Sequence, residues 1–127
     1  VRSMKYHGLE MWPVDYDELK EPNPEAVSDG MVNLDHHAGI VERFDVPFVV
    51  ASNRFPTDTD AEIQAIVDHC EEQGYPVVVS NAFADGGEGA AELAETAKDL
   101  ADGDDGDLEP LYDLDAGLED KIRTVAT

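Results

Sequence analysis

Short apolar runs alternate along this chain with longer stretches whose apolar residues recur every three or four positions. Val46, Phe48, Val49, Val50 and Ala51 form a run with the density of a strand buried on both faces, the habit of parallel sheets. Pro76 to Ser80, PVVVS, forms a second. Between them Ala61, Ile63, Ile66, Val67 and Cys70 keep helical spacing from Asp60 to Gln73, with Asp58 or Thr59 as N-cap and Gly74 as C-terminal stop. Asn33 to Phe44 is a helix with Leu34, His37, Ile40, Val41 and Phe44 on one stripe, and Gly87 to Ala101 another through Ala90, Ala91, Leu93, Ala94, Ala97 and Leu100. Leu111 to Leu114 reads as a short strand or extended segment, and Gly117 to Val125 as a last helix. Strand, helix, strand, helix implies right-handed parallel crossovers, hence a small Rossmann-like three-layer α/β domain with a short, mostly parallel sheet over residues 31–127. Residues 1–30, with Pro13, Pro22, Pro24 and two glycines but no sustained periodicity, read as an irregular lead-in that packs on a larger body.

This order places the chemistry. Both strands empty their carboxyl ends into polar loops, Asn53 to Thr59 and Ser80 to Gly89, and the carboxyl edge of an open α/β sheet is where ligands bind. If the strands are neighbours, Phe55, Pro56 and Phe83 bracket one crevice. Aromatic faces there stack on a flat heterocycle while Pro56 stiffens the loop and Asn53 and Thr57 offer polar contacts. The same aromatics also suit a core or a domain interface. Thr57, Asp58 and Thr59 precede an apolar helical pattern, which is how capping residues stand. Gly86, Gly87 and Gly89 open a helix whose amides could attract an anion, although Glu88 among them opposes it and a tight turn needs the same glycines.

Composition narrows the partners. At 127 residues the chain suits one core. Thirty Asp and Glu against eight Lys and Arg give a net charge of -22, which repels nucleic acid and anionic membrane surfaces. The carboxylates are spread over helix faces and loops, a pattern that calls for salt cations on the surface and points to adaptation to high salt. No apolar run reaches the roughly 18 residues of a membrane span and the N-terminus lacks a signal-peptide pattern, so a cytoplasmic protein is expected. The single cysteine, Cys70, lies on the apolar face of its helix and reads as core. His36 and His37 are adjacent and point about 100° apart on a helix, so they do not chelate as an i, i+4 pair does; one at the core edge and one on the surface is expected. The cluster from Asp102 to Asp107 lacks EF-hand spacing, and no metal site or catalytic constellation is predicted within the chain.

VPFVVASNRFPTDTDAEI from Val46, SNAFADGGEGAAELAE from Ser80 and LYDLD from Leu111 are similar to formate-tetrahydrofolate ligase. VRSMKYHG from Val1 and MVNLDHH from Met31 resemble consecutive interior segments of that family, so the resemblance runs in order along nearly the whole chain. It implies a domain of an ATP-dependent ligase that joins formate to tetrahydrofolate through a formyl phosphate. In that family the Phe-Pro pair and an aromatic of the second loop line the folate or nucleotide pocket; Phe83 stands where the family commonly has Trp. Tetrahydrofolate and ATP with Mg are then substrates of the parent enzyme, none held tightly by this stretch, and the remaining ligase domains are its partners. The resemblance also implies an excised piece. The family is several times longer, and its phosphate-binding loop belongs to an N-terminal domain with no GxxxxGK[ST] counterpart here. Inactivity alone follows. The competing expectation is a free-standing binding or structural module that kept the fold.

Overall fold

A computed structural model describes residues 1–9, 15–103 and 109–126. Among the described residues the sheet has two parallel strands, β1 (Val50–Asn53) and β2 (Val77–Ser80), in the register Val50 to Val77, Ala51 to Val78, Ser52 to Val79 and Asn53 to Ser80. Helix α4 (Asp60–Gln73) makes the crossover between them. Val50 and Val77 share one face, since paired residues of parallel strands point the same way, and they pack on a core of Val27, Met31, Ile66 and Cys70. Helix α6 (Ala91–Asp102) packs against β2. The small α/β domain with a short parallel sheet read from the sequence is the fold observed.

Boundaries follow local chemistry. Thr59 caps α4 through a complete capping box: its hydroxyl accepts the Glu62 N–H, and the Glu62 carboxylate accepts the Thr59 N–H. Gly74 ends the helix at φ 78°, the left-handed conformation in which glycine costs least. The apolar run from Val46 to Val49, expected to be part of the first strand, is not in the ladder, which begins at Val50, whose N–H donates to Pro76 O at 2.7 Å. Pro76 has no N–H to return, so pairing stops there.

The lead-in differs most from the expected irregular segment. It contains α1 (Arg2–Gly8), a 3-10 turn (Glu18–Lys20) and α2 (Pro24–Asp29). Asn23 caps α2 by accepting the Ala26 N–H at 2.9 Å, and Pro24 occupies the first turn, where its missing N–H costs nothing. α2 runs through Gly30 into α3 (Met31–Glu42). Gly8 and Gly30 are close-approach points rather than breakers: a Cβ on Gly8 would lie 1.9 Å from Ala26 O, and one on Gly30 would lie 2.0 Å from Met4 O. The lead-in is therefore built into the core, where Val27 is fully buried.

Smaller departures follow the same logic. α3 turns Met31 and Ala38 inward, leaves Ile40 exposed, and exposes both His36 and His37 instead of one. A four-residue helix, α5 (Ala82–Asp85), falls where a loop was expected. No strand forms over Leu111–Leu114; bends and a turn lead into α7 (Leu118–Ala126). Cys70 is fully buried, and burial first, then the nearby Asp35 carboxylate, pushes its thiol up. Residues 104–107 of the acidic cluster lie outside the described residues. Among the described residues no helix is long and apolar enough to cross a membrane.

Candidate functional site

The carboxyl ends of the two strands stand side by side. Asn53 pairs with Ser80, and the Arg54 N–H donates to Ser80 O at 3.0 Å, so both loops leave the sheet at one edge. Phe55 to Asp58 is a turn closed at both ends. The Asp58 N–H donates to Phe55 O at 2.9 Å, and Asp58 Oδ2 accepts the Phe55 N–H at 2.9 Å. Pro56 occupies the second position of this turn, where a fixed φ suits it. Of the two candidate N-caps, Thr59 takes the cap and Asp58 takes the turn. Asp58 is almost fully buried, and its other oxygen, Oδ1, has no hydrogen-bond partner among the described residues.

The structure brings Phe55 and Phe83 together, with ring centroids 5.1 Å apart and planes tilted by 53°. Phe83, carried on α5, is 66% exposed, and Phe55 is half-buried. A ring held between two others needs roughly 7 Å between the outer pair, so the two phenyl rings are closed on each other here. Pro56, Thr57 and Asn53 are exposed around them.

The predicted anion site takes a different form from a helix start. Gly86 ends α5 at φ 61° and ψ -136°, and its N–H donates to Ala82 O. Gly87 precedes a 3-10 turn (Glu88–Ala90) that has Gly89 at its centre, and α6 begins only at Ala91. Gly89 is needed for close approach, because a Cβ there would lie 2.5 Å from the Asn81 carbonyl carbon. Backbone geometry thus accounts for glycine at 86 and 89, whereas Gly87, at φ -61° with open space around it, is not required by the turn.

Three residues that sequence reasoning left out complete the surroundings. Arg2, from α1, places its guanidinium carbon 4.5 Å from the Phe55 ring centroid and its Nη2 3.5 Å from Thr57 Oγ1. Lys5 and Glu62, both fully buried, form an ion pair of 2.9 Å that ties α1 to the first turn of α4 directly behind the loop. Glu62 also accepts the backbone N–H of Asn23 and of Thr59, each at 2.8 Å, and the Thr59 hydroxyl at 2.9 Å. Burial alone would raise its carboxyl, but these hydrogen bonds and the Lys5 ammonium outweigh it and lower it to about 2. The Thr59 to Glu62 spacing was readable as a capping box; nothing local announces that Lys5 would meet it.

Another concavity, of about 550 Å³, lies away from the strand ends between Glu42, Asp45, Val46, Pro47, Asp99, Leu100 and Gly103. Among the described residues its lining holds three carboxylates, no aromatic ring and no cation, which suits a flat anionic ligand poorly. Arg2 and the Phe55–Phe83 ring pair offer the opposite chemistry.

The family model described as formate–tetrahydrofolate ligase matches residues 1–127. The formate–tetrahydrofolate ligase of Haloarcula marismortui is 50% identical over 129 residues, which is 100% of this chain and 23% of that protein. Those of Haloquadratum walsbyi and Granulibacter bethesdensis are each 46% identical, over 100% of this chain and 22% of their own length. The chain spans less than a quarter of the length of the curated relatives it matches.

Proposed function

The chain belongs to the formate–tetrahydrofolate ligase family, and from that premise we propose that it supplies one wall of the folate or nucleotide pocket of an ATP-dependent ligase making 10-formyltetrahydrofolate. The observation that carries this reading is the meeting of Phe55 and Phe83 at the carboxyl ends of two paired parallel strands. That edge is the general ligand edge of open α/β sheets, and two adjoining aromatic faces are what a flat heterocycle stacks on.

Each residue has a limited task. Phe55 is held from behind: the Asp58 carboxylate closes its turn, and Pro56 stiffens it. Phe83, on a short helix and largely exposed, is the movable side; rotation about its χ1 opens the ring pair and lets a pterin or adenine slide against Phe55. Thr57 and Asn53 border the surface with hydrogen-bonding groups, and the Gly86–Gly89 turn forms the opposite lip. Tetrahydrofolate, ATP and Mg are substrates of the parent ligase, whose other domains supply the phosphate chemistry. A solitary stacking wall binds such ligands only weakly, and salt cations rather than nucleic acid or membranes accompany the acidic surface in the cytoplasm.

Two measurements test the reading. The purified chain, given formate, ATP, Mg and tetrahydrofolate, is expected to form no formyltetrahydrofolate; steady production would contradict the division of labour. In a full-length relative, alanine at the position matching Phe83 should raise KM for the stacked substrate about tenfold, the worth of one aromatic contact and its buried area. An unchanged KM would remove Phe83 from the pocket.

A further inference from the structure

Arg2 stands apart from the other cations near the strand ends. Arg54 is paired with Asp60, and Lys5 with Glu62, whereas no carboxylate lies within ion-pair distance of Arg2 among the described residues. That is notable in a chain with thirty acidic residues against eight basic ones. Its contacts are the Phe55 ring, at 4.5 Å, and the Thr57 hydroxyl at 3.5 Å, the long end of a hydrogen bond. Its Nε is shut away from solvent and has no hydrogen-bond partner among the described residues. The terminal nitrogens of this guanidinium, laid on an aromatic face and held only by a long, exposed contact to Thr57, are what remains open to an acceptor from outside the chain. Its planar fork favours carboxylate or phosphate oxygens.

We propose that Arg2 holds an anionic oxygen, of a carboxylate or a phosphate, on the ligand that stacks beside Phe55. The inference rests on the stacking reading above and adds to it the residue that selects charged ligands over neutral ones with the same ring. Phe55 thereby serves two partners, the ligand ring and the cation, and Thr57 steadies the guanidinium between them.

The test uses the chain itself in molar KCl, with ligand-observed NMR titrations of two matched pairs. Tetrahydrofolate is compared with a tetrahydropterin lacking the glutamate carboxylates, and ADP with adenosine. Arg2→Gln should weaken the anionic member of one pair about tenfold or more, the worth of a charge-assisted hydrogen bond, and leave its neutral partner unchanged. Loss confined to tetrahydrofolate assigns the oxygen to a carboxylate; loss confined to ADP assigns it to a phosphate. Arg2→Lys should recover part of the loss, since it keeps the charge without the fork. Phe83→Ala should weaken charged and neutral members alike. Equal weakening of both members by Arg2→Gln, or none, while Phe83→Ala still acts, overturns the assignment of Arg2 and leaves the stacking wall in place. No effect of Phe83→Ala on any ligand overturns both. Melting curves of each variant, compared with the parent, separate a binding defect from a folding one.

Discussion

Glu62 takes four hydrogen bonds with its side chain fully out of solvent, and that single carboxylate joins α1, α2 and α4. Removing its charge strands the Lys5 ammonium in the interior. Glu62→Gln is therefore expected to cost about 3–5 kcal/mol by denaturant unfolding, and Lys5→Met with Glu62→Leu together far less, because no lone charge then remains buried. The folded carboxyl is lowered to about 2 from an ordinary 4.5, so its stabilisation is complete above pH 4.5 and is lost as pH falls toward 2, a total of about 3 kcal/mol. The stability gap between the parent chain and Glu62→Gln should accordingly narrow across that window. A gap that stays constant down to pH 2 would mean the carboxyl titrates normally. Phe83→Trp is the complementary change at the surface: a larger face should tighten binding of a stacked ring several-fold in a titration.

The elements were legible where chain-local chemistry decides them. α4 came out with its bounds intact because a capping box and a left-handed glycine mark its two ends. β2 was plain from its valines. β1 was placed too early because hydrophobicity reports burial, whereas ladder membership was decided by Pro76 on the other strand. α2 carried a readable signal, Asn23 before Pro24, that the surrounding prolines and glycines obscured. The role of Gly8 and Gly30 was not legible, because a glycine used for backbone contact looks the same in sequence as one used for a turn. At the site the ring pair was legible, since strand order alone aligns the two loops. Arg2 and Lys5 were not, because they arrive from a helix far away in sequence. At this scale Gly8→Ala is expected to cost about 2–3 kcal/mol or more, since its methyl must push α1 off the α2 backbone. A calorimetric or denaturant measurement within 0.5 kcal/mol of the parent, about the spread of neutral surface changes, would show that the two helices are not in such close contact.

For the molecule as a whole, charge sets the conditions under which any of this can be seen. With a net charge of -22 the folded chain repels itself, and the screening length shrinks from about 30 Å at 0.01 M salt to about 3 Å at 1 M. The melting temperature should rise steeply between dilute buffer and molar KCl, and salt-independent melting would remove salt adaptation from the account. Ligand binding belongs under the same conditions. The central claim is that Phe55 and Phe83 form the stacking wall, and nuclear Overhauser contacts in molar KCl with tetrahydrofolate or adenine nucleotide address it most directly. The account predicts contacts from the ligand's ring protons to both phenyl rings, with the two rings moved apart from their 5.1 Å separation. Ring contacts that fall elsewhere on the chain, with the Phe55–Phe83 pair undisturbed, would contradict it.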